Sequence, residues 1–128
     1  MRLAGAVAAT CVLGAGVGTA AQAGPPPALN VVPPAVTGVP AQGLTLGHFR
    51  GVWTLGGDNV YTQEWVRCNA TGGSCVSTGV TSANYLLGAA DVGHAMRVIV
   101  TATTDSGGGV STSATSPPTT PVAPVPVP

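Results

Sequence analysis

The chain has 128 residues, a formal net charge of zero and only 6% charged residues. All its basic residues are arginines, and residues 24–128 carry three of them against four acidic residues. Nucleic acids and anionic membrane surfaces attract proteins through clustered basic side chains. This composition therefore argues against both classes of partner.

The first 23 residues have the pattern of a secretory signal peptide. Arg2 supplies the positive charge, an apolar run extends from Leu3 to about Val17, and Ala-Gln-Ala at 21–23 matches a small-residue cleavage site. Cleavage there predicts a secreted protein that begins at Gly24 and has lost Cys11 with the signal. No later apolar run is long enough to span a bilayer. A retained membrane anchor is the competing interpretation, which the short, Gly/Ala-rich run disfavours.

The prolines indicate the domain boundaries, because all twelve lie at residues 25–40 and 117–128. Both tryptophans, both tyrosines and the only phenylalanine lie between these two regions. We therefore predict a Pro-rich linker at 24–33, one domain at 34–116 and a Pro-rich tail at 117–128. The tail favours extended polyproline II, and we expect it to be a semi-rigid spacer that buries nothing.

The predicted domain is all-β, with about seven short strands separated by turns rich in Gly, Asp and Asn, such as those at 56–59, 72–73 and 106–109. Alternating apolar and polar residues are clearest in HAMRVIVTATT (94–104), which predicts a half-buried strand. Near LGAADVG (87–93), Asp91 can bond the local backbone and Gly93 can take a left-handed conformation. The other candidate strands are LTLGHF (44–49), GVWTL (51–55), VYTQEWVRC (60–68), CVSTGV (75–80), NYLL (84–87) and GVSTSA (109–114).

This pattern indicates a small β-sandwich or barrel. We expect the centre of its core to contain Trp65, Met96, Val98, Val100 and Ala102, surrounded by Leu44, Leu46, Trp53, Tyr85 and Leu87.

Several motifs follow one another in a characteristic order. A Trp-x-Arg-Cys strand (65–68) and a Gly-rich turn to Cys75 are followed by Tyr85, an Asp-Val-Gly turn (91–93) and the strand Val-Ile-Val-Thr-Ala (98–102). This order resembles the Ig-like repeat modules of secreted and surface proteins of high-GC actinobacteria, over about residues 34–114. The resemblance implies an Ig-like β-sandwich without catalytic residues, usually one unit of an array.

The two cysteines of the domain, Cys68 and Cys75, raise three alternatives. A zinc or iron–sulfur site usually needs three or four ligands, and only His48 and His94 could complete such a set. The C-x6-C spacing is also longer than the two to four residues of a zinc knuckle, and a redox motif needs C-x-x-C. In an exported protein such a pair most often forms a disulfide. We predict that disulfide across the hairpin, with no metal and no cofactor. Closing so short a loop stabilises the fold by about 2.5 kcal/mol.

Other candidate sites have weaker support from the sequence. Residues 69–71 (Asn-Ala-Thr) match an N-glycosylation sequon, and the Thr/Pro-rich tail is compatible with O-glycosylation by composition alone. His94 and Asp91 are not predicted to belong to a catalytic Ser-His-Asp triad, because the sequence contains no nucleophile elbow to supply the serine. We expect ion pairs across strands instead, between Glu64 or Asp58 and Arg67 or Arg97.

The segment GHFRG (47–51) departs from the modules that the chain resembles, because His48, Phe49 and Arg50 replace small or polar residues. We predict that these three side chains form an exposed binding surface. The sequence thus predicts a secreted, non-enzymatic module with a structural or protein-binding role at or outside the cell surface. Its expected partner is another extracellular protein or a cell-envelope polysaccharide. The alternatives are a carbohydrate- or cell-wall-binding module and, third, a small secreted enzyme.

Overall fold

The computed structural model describes residues 26–55, 57–104 and 109–125. Within these ranges the chain is all-β, with several antiparallel sheets and a single turn of 3-10 helix. The predicted signal peptide and most of the predicted turn at 106–109 lie outside the described residues.

The described residues form nine strands. All seven predicted segments contain one, but two further strands lie upstream, and the first of them falls within the predicted linker. In chain order the strands are β1 (Leu29–Val32), β2 (Ala35–Thr37), β3 (Thr45–Phe49), β4 (Val52–Thr54), β5 (Asn59–Cys68), β6 (Val76–Ser77), β7 (Tyr85–Leu86), β8 (Ala95–Thr104) and β9 (Ser111–Thr115), and the 3-10 helix is Ala89–Asp91.

The largest sheet has four antiparallel strands in the order β9-β8-β5-β6. Strands β5 and β8 pair along their whole length, from Ala95 opposite Cys68 to Thr104 opposite Asn59. The alternation predicted for β8 is confirmed, because Met96, Val98, Val100 and Ala102 are buried and the intervening residues are half-buried. One face of this sheet therefore packs on the core.

The remaining pairs, β1–β4, β2–β3 and β3–β7, contain the strands that lead to the GHFRG segment. The Val32–Val52 pair of β1–β4 is in the same register as the three pairs of β2–β3, because the two residue numbers of each pair add to 84. The two strand pairs therefore form one interrupted antiparallel ladder. The pairing is interrupted at Pro33 and Pro34, which have no N–H to donate. Asn30 bonds the carbonyls of Val32 and Val52 at the bulge.

The core draws on both the four-stranded sheet and the strands around β3. Trp65 is fully buried, stacks on Tyr85 with the ring centroids 5.7 Å apart, and donates its indole N–H to the Ser82 carbonyl. The prediction for Leu44 is wrong, because this side chain is 43% exposed. Trp53 is half-buried at the margin. The buried cluster comprises Leu46, Trp65, Tyr85, Leu87, Met96, Val98, Val100 and Val122.

The expectation that the Pro-rich tail buries nothing is wrong. Val122 is only 2% exposed and belongs to the core cluster. Beyond β9 the chain continues along β8, with the Ser116 amide donating to the Val98 carbonyl. Pro117 and Pro118 cannot donate backbone bonds, whereas the hydroxyls of Ser116 and Thr119 accept from the amides of Val98 and Met96. The composition of the tail did not reveal this side-chain bonding.

Candidate functional site

The three residues of the predicted binding surface do not share one environment. His48 is half-buried on the core side of β3, where its ring meets Trp65 edge-on with the centroids 6.0 Å apart. Its Nδ1–H donates to the Ala83 carbonyl at 2.9 Å. Because that carbonyl can only accept, the proton is on Nδ1. His48 therefore fixes the neighbouring loop rather than facing solvent.

Phe49 and Arg50 are exposed, as predicted. Successive side chains of a strand point to opposite faces, so Phe49 projects away from His48 and is 45% exposed. The guanidinium carbon of Arg50 lies 4.0 Å from the centroid of the Tyr61 ring. Such a cation–π contact contributes about 0.5–1 kcal/mol at an exposed site and holds the long side chain in place.

Two aromatic residues that the sequence did not assign to the surface accompany Arg50. Trp53 donates its indole N–H to the Arg50 carbonyl at 2.9 Å, and its ring lies 6.2 Å from that of Tyr61. We call Arg50, Trp53 and Tyr61 the aromatic corner. The spacing of Tyr61, Gln63 and Trp65 places all three on one face of β5. That spacing indicates the core face of β5, and Tyr61 packs half-buried at the margin of the core.

Large apolar side chains are exposed along the same antiparallel ladder. The Val32–Val52 and Ala35–Phe49 pairs lie three residues apart on it, on either side of the proline break. The exposed apolar residues of this region are Leu29, Val31, Val32, Phe49, Val52 and Leu55, each between 42% and 54% exposed. We call them the apolar surface. Arg50 and Trp53 of the aromatic corner are next to Phe49 and Val52 in the chain.

A second group of polar side chains surrounds the buried carboxylate of Asp91, with Tyr85 buried and Arg67 partly exposed. Arg67 donates its Nε–H to Asp91 Oδ1 at 2.7 Å, so the predicted pairing of Arg67 with Glu64 or Asp58 is wrong. The Tyr85 hydroxyl lies 3.0 Å from both carboxylate oxygens, and the Gly88 amide donates to Oδ2 at 2.8 Å. Glu64 instead accepts a hydrogen bond from the Ser77 hydroxyl. The predicted local bonding of Asp91 is confirmed.

The contacts around Asp91 raise the pKa of both Tyr85 and Arg67. Burial, followed by the hydrogen bond to Asp91, raises the pKa of Tyr85. The hydrogen bond to Asp91 likewise raises the pKa of Arg67. Asp91 is 1% exposed and its oxygens are occupied by donors on three sides. The group therefore serves to join parts of the fold and leaves no carboxylate edge open to a substrate.

The predicted disulfide between Cys68 and Cys75 is confirmed. Inside the loop that it closes, the side-chain oxygen of Asn69 accepts from the Thr71 amide, the Thr71 hydroxyl and the Gly73 amide. His94 contacts the same hairpin, because its Nδ1–H donates to the Cys68 carbonyl at 3.0 Å. The sequon thus lies in an exposed turn that its own asparagine organises.

The described ranges 26–55, 57–104 and 109–125 contain no group of three or more His, Cys, Asp or Glu residues that could hold a metal ion. Nor do those residues enclose a pocket. Within the part of the chain that the structure describes, no helix is long and apolar enough to cross a membrane.

No family model, curated protein or solved structure matches the chain. Its function is therefore argued from the surface itself. The apolar surface is exposed, and of the aromatic corner Arg50 is exposed while Trp53 and Tyr61 are half-buried.

Proposed function

We propose that this chain is a secreted, non-enzymatic Ig-like β-sandwich module with a structural or protein-binding role at or outside the cell surface. The sandwich architecture is supported by the core, in which Trp65 and Val98 of the four-stranded sheet pack with Leu46 of β3. Burying one face of each sheet against the other is the usual way for such strands to form a core. The order of the sequence motifs supports the Ig-like assignment.

The observation that carries the binding role is the apolar surface next to the aromatic corner. Clustered exposed apolar side chains of this kind mark interaction sites in soluble proteins. Arg, Tyr and Trp are the residue types that dominate the energy of protein interfaces. Arg50 is held on the Tyr61 ring, so less conformational entropy is lost when its free N–H groups bind a partner. The partner that this surface fits is an extracellular protein.

Phe49 also supports a second candidate, a carbohydrate- or cell-wall-binding module. An exposed aromatic ring can stack on the apolar face of a sugar. Hydroxyl pairs such as Thr101–Ser113 and Thr103–Ser111 supply donors and acceptors on the face of the four-stranded sheet opposite the core. Cell-envelope polysaccharide is the ligand class that this candidate predicts.

The test compares the full chain with a double variant, Phe49→Ser with Arg50→Ser. Leu86→Ser is the matched control, because Leu86 is 66% exposed on a different strand. Each tagged chain is added to the medium, wall and membrane fractions of the producing cells, and bound material is identified by mass spectrometry and sugar analysis. We expect a protein that binds the wild type and the control but binds the double variant about tenfold more weakly.

Retention on purified envelope polysaccharide that is lost in the double variant would instead support the second candidate. Equal binding of all three chains to every fraction would contradict both, because it would show that the apolar surface is not used.

A further inference from the structure

The tail segment, residues 116–123, is bound to the rest of the domain in the manner of an extended peptide ligand. Its first half runs antiparallel to β8, where the Thr119 amide donates to the Met96 carbonyl and the Thr119 hydroxyl accepts from the Met96 amide. Pro118 packs against Gly72 of the disulfide hairpin, where an added Cβ would lie 2.7 Å from the proline ring. The segment carries no charge, so it is held by backbone bonds, the hydroxyls of Ser116 and Thr119, and shape.

The second half of the tail segment lies between two other segments, as a central strand would. Val122 exchanges backbone bonds with one side, donating to the His94 carbonyl and accepting from the Gly93 amide. Ala123 exchanges bonds with the other side, donating to the Pro40 carbonyl and accepting from the Gln42 amide. The groove between residues 40–42 and 92–94 thus binds an extended chain from both edges, with Val122 as the apolar anchor.

We propose that this groove is a peptide-binding site that also accepts the tail segment of a second copy of the chain. Strand insertion of this kind takes its affinity from main-chain bonds and its specificity from pockets for alternate side chains. All the determinants on the ligand side, from Ser116 to Ala123, lie within eight consecutive residues, and a second copy carries them identically. The inference goes beyond the proposed function, because it uses no residue of the apolar surface.

Two features decide when a tail from another copy enters the groove. The chain's own tail is covalently attached, which gives it an effective concentration in the millimolar range. A second tail therefore enters when the chain's own tail is weakened or at high protein concentration. The exposed pair Pro117–Pro118 makes no backbone N–H bonds, so the tail can diverge there without breaking the β8–β9 ladder.

The primary test uses the full chain and a fluorescent peptide with the sequence of residues 116–125. In a Val122→Asp chain the tail cannot stay docked, because burying an unpaired carboxylate is unfavourable, and the groove becomes free. We expect this chain to bind the peptide about tenfold more tightly than the wild type, whose groove is occupied. A peptide that itself carries Val122→Asp is the control and should not bind.

Near-UV circular dichroism of Trp53 and Trp65 shows whether each variant is folded. Val122→Ala is the second variant, in which a smaller anchor weakens the tail without introducing charge, and we expect it to bind the peptide with intermediate affinity. The proposal is overturned if a folded Val122→Asp or Val122→Ala chain binds the 116–125 peptide no better than it binds the Val122→Asp peptide.

A mixing experiment tests the second copy as the source of the tail. In a Gly72→Ala chain the added Cβ meets Pro118 and the alanine is strained at φ of 92°, so this chain keeps an intact tail but holds it more weakly. Mixed with the Val122→Asp chain, it should form a one-to-one heterodimer in analytical ultracentrifugation at concentrations where each variant alone is monomeric. If the mixture sediments as two monomers at about millimolar concentration, a second copy does not supply the tail and this part of the proposal is wrong.

Discussion

The carboxylate of Asp91 joins three parts of the fold that are far apart in the sequence. It accepts hydrogen bonds from Arg67 in β5, Tyr85 in β7 and the Gly88 amide before the 3-10 helix. Removing one partner of a buried charge pair leaves the other uncompensated, which costs far more than losing an exposed pair. The hydrogen bonds that Tyr85 and Arg67 donate to Asp91 therefore stabilise the folded state.

The raised pKa of Tyr85 predicts a loss of stability at alkaline pH. A group whose pKa is higher in the folded state stabilises the fold fully below its unfolded value, which is about 10 for tyrosine. That stabilisation is lost as the pH rises through the folded-state pKa. We expect the free energy of unfolding in urea to fall above about pH 10, and the fall to be shallower in Tyr85→Phe.

Tyr61→Phe is the matched control, because it removes the other tyrosine and keeps the Tyr85–Asp91 contact. It should retain the wild-type pH dependence. Equal alkaline slopes for the wild type and Tyr85→Phe would show that the raised pKa of Tyr85 does not contribute.

Individual residues were predictable where a local pattern decides their environment. The alternation of β8 placed Met96 and Val98 in the core, and the loop position of Gly93 indicated its positive φ, observed at 83°. Arg67 was assigned the wrong partner because its partner lies 24 positions away. The positions of β5 and the 3-10 helix in space decide that pairing, and no local pattern records them.

At the scale of elements, the turn from β3 to β4 depends on a close approach between two backbones. Gly51 has φ of 90°, and a Cβ there would lie 2.5 Å from the Val32 carbonyl oxygen. Gly43 has almost the same φ, 89°, but nothing lies within 4 Å of its Cβ position. Substituting each glycine in turn therefore separates the cost of backbone strain, which both positions share, from the cost of steric contact, which only Gly51 has.

We predict that Gly43→Ala destabilises the fold by about 1 kcal/mol, the cost of a left-handed alanine. Gly51→Ala should cost about 2 kcal/mol more, because β1 must move away from β4 to relieve the contact. Urea unfolding followed by tryptophan fluorescence measures both. Equal losses in the two variants would show that the approach of Val32 to Gly51 does not constrain the ladder.

The sequence predicted strands where apolar and polar residues alternate over several positions, as in β5 and β8. It did not predict β1 and β2, because these strands are short and lie among prolines that otherwise indicate a linker. Their strand structure comes from pairing with β4 and β3. Long-range pairing of that kind overrides local propensity.

At the scale of the whole molecule, the disulfide hairpin, the Gly93 turn and the tail meet at one end. His94 bonds the Cys68 carbonyl, Ala95 bonds the Asn69 carbonyl, and Pro118 covers Gly72. The sequence predicted the disulfide from two cysteines across a turn in a chain with a predicted signal peptide, but it could not predict the tail contact. Proline content indicates only that a segment is extended, and the groove that receives it is built from residues far away.

We predict that the double variant Cys68→Ser with Cys75→Ser loses about 2.5 kcal/mol of stability, the chain-entropy cost of opening an eight-residue loop. Because the hairpin also supports the tail, tail proteolysis should become faster. The wild type under denaturing, oxidised conditions should show no reactive thiol from this pair. Two free thiols in the native protein, or unchanged urea stability of the double variant, would contradict the prediction.

The docked tail also bears on how the chain folds. The bonds between residues 40–42 and Ala123 close a loop of about eighty residues, and the entropy of loop closure must be lost before such contacts become favourable. The β5–β8 ladder joins segments much closer in sequence and provides the surface on which the tail lies. We therefore expect the proline-rich segment to dock late, as the step that completes the core around Val122.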